Sequence, residues 1–334
     1  MTNTGSRGTA LSPASMLALL ADGNEVSGSA LASHLGITRA AVWKHIEQLR
    51  ELGLSIEAAA GRGYRLATPV DLLDAVAIRD AISAPQRDGV GDIDVRWQID
   101  STSSELLRRI GDATAPRACL AEIQTAGRGR RGRAWRTPLG GGLALSFSRR
   151  FDVGMAALSG LSLVAGIAVL QALSDGGVRG PALKWPNDVV ADGRKLAGIL
   201  VELGGDALGP CHAVIGIGIN VRMSVQVGKA IDQPWVDVAS LTADPPSRNL
   251  LAGRILSRLA EALDLFAASG FAAFQREYAQ HDALLGRDIV ISGAGGSSEG
   301  IARGVNVRGA LEVERDGVVT PIDSGEISVR THHR

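Results

Sequence analysis

A strand-like run that breaks into a glycine- and arginine-rich segment places the strongest constraint on how this chain folds. Within Ala121–Trp135 an apolar run gives way to Gly127–Arg133, which contains three glycines and four arginines. Glycine lets a backbone adopt unusual dihedral angles and approach a ligand closely, and arginine binds carboxylate or phosphate oxygens through paired N–H groups. The segment therefore predicts a loop after a strand that binds an anionic substrate.

The arginine-rich segment alone admits several interpretations. Runs of Lys and Arg also occur on solvated surfaces, in nucleic-acid-binding patches and in targeting signals. A phosphate-binding P-loop is excluded, because neither Lys-Ser nor Lys-Thr follows the last glycine, Gly132. Motifs elsewhere in the chain must therefore decide which anion the loop meets.

Length and composition limit the class of protein. The chain has 334 residues, 45% of them hydrophobic, which is enough for two or three globular domains. Its formal net charge is zero, so nucleic-acid binding would have to come from a local basic patch. Two cysteines, Cys119 and Cys211, are too few for a disulfide scaffold or a four-cysteine zinc site, and we expect both to be buried and reduced.

Signals for export or membrane insertion are weak. The first ten residues are polar and lack the apolar core of a signal peptide. The longest apolar stretch, 155–173, is interrupted by two serines and two glycines, so it predicts a buried helix and not a membrane span. We expect a cytoplasmic protein with no membrane partner.

The N-terminal segment has the pattern of a winged helix-turn-helix domain. Three helices are predicted, from Ser12-Pro13 to Leu20, from Gly28 to Leu35 and from Thr38 to about Leu52, with a tight turn at Gly36. The following residues, 54–66, predict a glycine-rich hairpin, the wing. Thr68-Pro69 marks a boundary, which gives a DNA-binding domain at 1–69, and a helix at 71–82 is predicted to start the next domain.

Five residues of this domain are candidates for contacts with DNA. Recognition helices reach base edges with their N-terminal part, and a wing contacts phosphates. The candidates are Thr38, Arg39, Trp43 and Lys44 on the third helix and Arg62 at the tip of the hairpin. Small three-helix units also serve as protein-interaction modules. A large indole facing DNA is unusual, so packing of Trp43 against the wing is the alternative for that residue.

Several motifs later in the chain occur together. Gln124 precedes the arginine-rich loop and Trp135 follows it, and three longer motifs come after them: Lys184-Trp185-Pro186-Asn187-Asp188, Arg194-Lys195-Leu196-Ala197-Gly198-Ile199-Leu200 and Gly216-Ile217-Gly218-Ile219-Asn220. This set resembles the motifs of the biotin protein ligases. Combined with the N-terminal segment, the whole chain resembles the bifunctional biotin ligase/biotin operon repressor family.

The resemblance implies an α+β multidomain fold. A winged helix-turn-helix domain at 1–69 would precede an α/β biotin-ligase domain, similar to the class II synthetases, at 70–284. An SH3-like β-barrel would follow at 285–334. The chain itself shows short β runs from about 285 to 329, with Asp316-Gly317 as a hairpin turn.

The resemblance also implies a biotin pocket. Ser101 and Thr102 would contact the ureido ring with Gln124 close by, which is sensible because a buried urea needs its donors and acceptors paired. Ser103 departs from the family, which commonly has Asn there. The remaining biotin-binding residues implied are Gly127, Arg128, Gly129, Arg130, Lys195 and Gly198.

A nucleotide site is implied next to the biotin pocket. Lys195 and Arg130 would be catalytic, stabilising negative charge on the carboxylate and the α-phosphate, and Asp188 would help to hold Mg²⁺. The ATP-binding residues implied are Arg130, Arg133, Trp135, Lys184, Asn187 and Asn220. From the residues alone, Lys195 also suits a strand edge protected from pairing, Trp135 suits simple packing, and Lys184 to Asp188 suits a solvated turn.

The function implied is ATP-dependent protein biotinylation. The biotin carboxylate would attack the α-phosphate of ATP, releasing pyrophosphate and leaving biotinyl-5′-AMP. Biotin would then pass to a lysine of a biotin carboxyl carrier protein, with AMP as the leaving group. The adenylate would also be the corepressor that promotes a homodimer on operator DNA. Two rival hypotheses remain: a biotin-sensing transcription factor without ligase activity, and a ligase for lipoate or octanoate.

Overall fold

The computed structural model describes residues 13–59, 62–110, 115–224, 228, 231–293, 296–323 and 328–331. Contacts divide the chain into two compact units, one of Met1–Leu72 with Pro138–Gly140 and one of Leu73–Thr137 with Gly141–Arg334. Two residues named in the sequence predictions, Ser12 and Gly61, lie outside the described residues. The division into three domains with boundaries at 69 and 284 stays a prediction.

The first unit contains the predicted three helices and hairpin. Helices α1 (Pro13–Leu20), α2 (Gly28–Leu35) and α3 (Arg39–Glu51) precede strands β1 (Ile56–Ala59) and β2 (Gly63–Leu66), which pair antiparallel. The side chains of Ser27 and Thr38 cap α2 and α3 by accepting backbone N–H groups three residues on. Gly36 ends α2 with a positive φ, as the tight turn requires.

The second unit is built on a seven-stranded sheet. Its strands are β3 (Asp92–Ile99), β4 (Arg117–Gln124), β5 (Gly142–Phe151), β6 (Ala182–Lys184), β7 (Asp188–Ala191), β8 (Arg194–Gly205) and β9 (Cys211–Asn220). They are ordered β3-β4-β5-β9-β8-β7-β6, and only β3 and β4 run parallel. Its helices are α4 (Ala75–Asp80), α5 (Arg87–Val90), α6 (Thr102–Arg108), α7 (Leu161–Asp175), α8 (Arg248–Ser269) and α9 (Gln275–His281).

The two faces of this sheet differ in what covers them. Helices α7 and α8 pack on one face, where alternate strand residues such as Leu145, Ile199 and Ile217 join the main hydrophobic core. The short helix α6 packs on the other face, and Leu106 there contacts Cys119 and Val214. The second face also carries Gly198, Gly216 and Gly218, and we call it the glycine face.

The C-terminal part is a five-stranded antiparallel sheet. Strands β10 (Asp288–Gly293), β11 (Gly296–Val305), β12 (Leu311–Arg315), β13 (Val318–Ile322) and β14 (Ser328–Thr331) are ordered β13-β12-β11-β10-β14. The predicted β-rich domain is confirmed, but in the described part of the chain β13 and β14 are edges that do not pair to close a barrel. Its buried side chains belong to the same core as the central sheet.

Two helix predictions were too long. The stretch 155–173 is divided, because a short 3₁₀ turn at Met155–Leu158 is followed by Gly160 with φ of 83°, and α7 begins only at Leu161. The predicted helix at 71–82 shrinks to α4, which Asp74 caps. By length and composition Met155–Asp175 could cross a membrane, yet 67% of its most apolar 18-residue window is buried inside the protein, in agreement with the predicted buried helix. That burial is typical of a core helix.

Candidate active site on the glycine face

Two glycines create an open place at the middle of the glycine face. Gly198 of β8 pairs directly with Gly218 of β9, and Gly198 also lies opposite Asp188 of β7. The Trp135 indole lies against this pair, so a Cβ at Gly218 would overlap the ring, and one at Gly198 would lie 3.3 Å from it. Only glycine permits so close an approach to the strand backbone.

A β-bulge turns Lys195 toward the glycine face. Along β8 the register with β7 shifts between Val189 and Val190, and Leu196 is the extra residue. Without the extra residue Lys195 would share the core face of Ala197, because side chains alternate along a strand. Leu196 instead fills the core, and Lys195 lies on the same face as Asp188. Bulges are frequent next to active sites because they redirect a side chain in this way.

Lys195 and Asp188 form an ion pair at this place. The Lys195 Nζ atom is 2.7 Å from Asp188 Oδ1 and 5.7 Å from the centre of the Trp135 ring. Both side chains of the pair are mostly buried, but Asp188 Oδ1 has no well-aligned hydrogen bond. A compact ammonium group beside a partly satisfied carboxylate is suited to exchange its partner for a substrate anion.

The arginine-rich loop is a narrow hairpin. Trp135 N–H donates to the Gly127 carbonyl over 2.9 Å, and Gly129 N–H donates to the Arg133 carbonyl over 2.7 Å. The turn at Arg130–Gly132 is 3₁₀, with Arg131 at φ of 57°. The Arg128 side chain pairs with Glu202 of β8 over 2.9 Å, which engages one of its guanidinium nitrogens. Arg133 is exposed.

Further cations surround Asp188 at different depths. Arg130 donates to Asn187 Oδ1 over 3.3 Å, and burial lowers its pKa, partly opposed by Asp188. Burial also lowers the pKa of Lys184, again opposed by Asp188, with Lys195 acting in the same direction as burial. The predicted residues Arg130, Lys184, Asn187, Asp188 and Lys195 thus meet at one place.

The predicted ring-binding residues form a buried hydroxyl cluster nearby. Gln124 Oε1 accepts from the Thr102 backbone N–H over 2.9 Å and lies 3.1 Å from Thr102 Oγ1. Ser146 of β5 lies 2.7 Å from Thr102 Oγ1 and 2.9 Å from Ser103 Oγ. Ser101 is buried too, but its hydroxyl caps α6.

Ser146 is a site residue that the sequence prediction missed. The apolar run Leu143 to Phe147 predicts a strand without obvious chemistry, although the serine inside that run is a usable signal. A hydroxyl placed with no exposure in a sheet needs a partner. Its partners are the two hydroxyls of the first turn of α6.

Asn220 holds the lysine strand in place. Its side-chain amide donates to the backbone carbonyls of Lys195 over 3.2 Å and of Val236 over 3.1 Å. Both donors are therefore used inside the protein, which leaves Asn220 Oδ1 as the atom for a nucleotide base. The predicted contact of Asn220 with adenine stays a prediction restricted to that oxygen.

The turn that carries Lys184 and Asp188 is fixed from two sides. Trp185 is buried, and its indole N–H donates to the Gly309 carbonyl in the C-terminal sheet over 3.0 Å. Ser162 of α7 donates to the Pro186 carbonyl over 3.0 Å. Neither anchor was predicted, since both partners are far away in sequence.

One carboxylate is available for a metal ion at this place. Among the residues that the structure describes, no three His, Cys, Asp or Glu side chains gather as a ligand cluster. Mg²⁺ at nucleotide sites typically takes one or two protein carboxylates, with phosphate and water oxygens completing the shell. Asp188 therefore fits an ion that arrives with the nucleotide, and not a resident protein-bound metal.

The five candidate DNA contacts are all on the surface of the first unit. Arg39, Lys44 and Arg62 are exposed, and Trp43 is exposed for 59% of its surface, so it does not pack against the wing. The Thr38 hydroxyl accepts the Ala41 N–H as the cap of α3. Val42, Ile46 and Leu49 face inward as the helical spacing predicts.

Comparison with known proteins agrees with both units. A family described as biotin/lipoate A/B protein ligase matches residues 95–220, and a helix-turn-helix domain matches residues 14–65. The bifunctional ligase/repressor BirA of Salmonella typhimurium is 41% identical, covering 96% of this chain and 98% of that protein. Its Escherichia coli counterpart is also 41% identical, covering 96% and 97%. The chain therefore belongs to the biotin protein ligase family, in the branch that carries a helix-turn-helix domain.

A solved structure supports the same assignment for the second unit. The biotin protein ligase from Aquifex aeolicus in complex with biotin and ATP has a TM-score of 0.63 and 28% identity, covering 72% of this chain and all of that one. The fold is thus shared over the full length of that biotin protein ligase.

Proposed function

We propose that the chain is a bifunctional biotin ligase and repressor. The observation that carries the ligase half is the Lys195–Asp188 pair on the glycine face, with the buried hydroxyl cluster on the same face. A relative solved with biotin and ATP shares this fold, and the related BirA proteins are named ligase and repressor. Biotin, ATP and Mg²⁺ are the substrates and ion we assign, and a cytoplasmic location stays a prediction.

We assign the uncharged, buried side chains to the biotin ring and the charged side chains to the carboxylate and the phosphates. The hydroxyl cluster with Gln124 takes the ureido ring, and the loop 127–133 covers the carboxylate. Lys195, leaving Asp188, neutralises the carboxylate and the α-phosphate, two anions that otherwise repel each other. Arg130, Lys184 and Asn187 take the remaining phosphate oxygens, with Mg²⁺ on Asp188 supplying further charge neutralisation.

Transfer of biotin requires an acceptor lysine to reach the mixed anhydride. That amine attacks the acyl carbon, an amide bond forms and AMP leaves. The acceptor we assign is a biotin carboxyl carrier protein. Closure of loop 127–133 over the adenylate would slow its hydrolysis. Trp135 lies on Gly198 and Gly218, so in the bound state it must either move or contribute its ring to the pocket wall.

The repressor half rests on the first unit. Arg39, Trp43 and Lys44 are exposed near the start of a recognition helix, with Arg62 exposed on the wing, which suits a helix in the major groove. We assign operator DNA as the partner and biotinyl-5′-AMP as the ligand that promotes a homodimer, because a ligand that binds the dimer more tightly must favour dimerisation.

The experiment uses two lysine variants that should separate the two activities. A carrier domain is incubated with biotin, MgATP and the wild type, Lys195→Ala or Lys44→Ala, and its mass is followed. We expect one biotin to be added by the wild type and by Lys44→Ala, with at least about a hundredfold slower addition by Lys195→Ala.

DNA binding is measured on the same three proteins. Lys44→Ala should weaken binding to the operator and lower the slope of affinity against salt, because the recognition helix loses one positive charge. Lys195→Ala protein given biotinyl-5′-AMP should still bind DNA. Wild type that binds DNA in response to biotin but adds no mass to the carrier would indicate a sensor without ligase activity.

A further inference from the structure

The hydroxyl cluster forms one continuous chain of four side chains. It runs from Gln124 through Thr102 and Ser146 to Ser103, with contacts of 3.1, 2.7 and 2.9 Å. The three hydroxyl residues are buried, and Ser146 has no exposed surface. At its far end Ser103 is 6% exposed, and because a Cβ on Gly216 would lie 2.6 Å from Ser103 Oγ, the glycine is what lets that oxygen lie against β9.

One backbone N–H fixes which group donates and which accepts at each hydrogen bond of this series. Thr102 N–H can only donate, so the Gln124 atom that it meets at 2.9 Å must be the carbonyl oxygen. That oxygen can only accept, so Thr102 Oγ1 spends its single proton on it. Ser146 must then donate to Thr102, and Ser103 must donate to Ser146, because each hydroxyl has one proton.

We infer that the Ser103 hydroxyl can only accept a hydrogen bond from a ligand, because it donates its one proton to Ser146. Ser146 is thereby a specificity-determining residue for a ligand N–H. This inference rests on the proposed function, in which the ligand is the cyclic urea of biotin. The asparagine common in the family at this position could donate as well as accept. With Ser103 the pocket should therefore require an N–H group from the ring more strictly.

The test measures biotin affinity by calorimetry without ATP. The proteins are the wild type, Ser103→Ala, Ser146→Ala and the matched control Ser148→Ala, which lies two residues along β5 on the same face and contacts the Arg117 carbonyl. The two probes are biotin and biotin methylated at its ring nitrogens.

We expect distinct responses from the two probes. Ser103→Ala and Ser146→Ala should each weaken biotin binding by about tenfold, and Ser148→Ala by less than about twofold. Methylated biotin should bind the wild type weakly, because it lacks the ring N–H that the hydroxyls recognise. For the same reason Ser103→Ala and Ser146→Ala should bind methylated biotin no more weakly than the wild type does. A purely structural role would weaken both probes alike.

Two results would overturn the inference. The first is that Ser103→Ala and Ser146→Ala bind biotin as tightly as the control Ser148→Ala does. The second is that these two pocket variants lose as much affinity for methylated biotin as for biotin. If Ser146→Ala unfolds more readily than Ser148→Ala, the Ser103→Ala comparison decides by itself. Wild type that fails to bind biotin at all would contradict the proposed function instead, so the two failures are distinguishable.

Discussion

Two of the cations around Asp188 are partly buried, and burial changes their pKa values. Burial lowers the pKa of both Lys184 and Arg130. An arginine begins so far above neutrality that Arg130 stays charged, whereas a lysine begins near 10.4 and a lowered value approaches the working range. Alkaline solution therefore removes the charge of Lys184 more readily than that of an ordinary lysine.

We predict that Lys184→Arg extends nucleotide binding to higher pH. Lys184 binds phosphate only when protonated, so this contribution is complete below its lowered pKa and is lost as the pH rises through it. As the pH rises through the alkaline range, the KM for ATP should rise in the wild type and change by less than about twofold in the variant. Lys44→Arg serves as control, and parallel profiles for wild type and Lys184→Arg would contradict the assignment.

A second residue-scale prediction concerns a buried ion pair. Arg248 of α8 and Glu122 of β4 are almost fully buried and joined by two hydrogen bonds of 2.9 and 3.0 Å, and Glu122 also accepts the Leu73 N–H. Arg248→Met should lower the free energy of unfolding by about 3–5 kcal/mol, because it leaves a buried carboxylate without its partner.

The same helix offers the control. Arg258 forms an exposed pair with Asp175, so Arg258→Met should cost less than about 1 kcal/mol in the same urea denaturation experiment. Equal and small losses from both substitutions would mean that Arg248 contributes no more than a surface ion pair.

Among the elements, strand β8 shows what the sequence predicts and what it does not. Its apolar run predicts a strand, and the structure confirms one, extended by two residues at each end. The bulge at Leu196 was not predicted, because it appears only when β8 pairs with β7. Alternation by itself would put Lys195 in the core, so the position of the proposed catalytic lysine depends on a contact between strands.

We predict that Gly218→Ala slows the overall reaction through Trp135. A methyl group there would overlap the indole, so the ring must leave the glycine face. A loss of about tenfold in kcat/KM for biotin is expected. In a Trp135→Ala background the same substitution should have little further effect, because the clash is gone. Additive losses in the double variant would show that Gly218 acts independently of Trp135.

At the scale of the whole molecule, the sequence predicts the succession of helices and strands better than the contacts between distant segments. The caps at Ser27 and Thr38, the wing and the β-rich C-terminal sheet follow from spacing within about twenty residues. The sequence could not predict that the C-terminal sheet anchors the Lys184–Asp188 turn through Trp185 and Gly309, which are 124 residues apart. Nor could it exclude a closed barrel, since that depends on how edge strands meet.

The central claim is that the glycine face activates biotin with ATP, and isotope exchange without any acceptor tests it most directly. Labelled pyrophosphate is incubated with the protein, MgATP and either biotin or lipoate, and label in ATP is counted. We predict exchange that requires biotin, is not supported by lipoate and is lost in Lys195→Ala. Exchange that occurs without biotin, or equally with lipoate, would contradict the account.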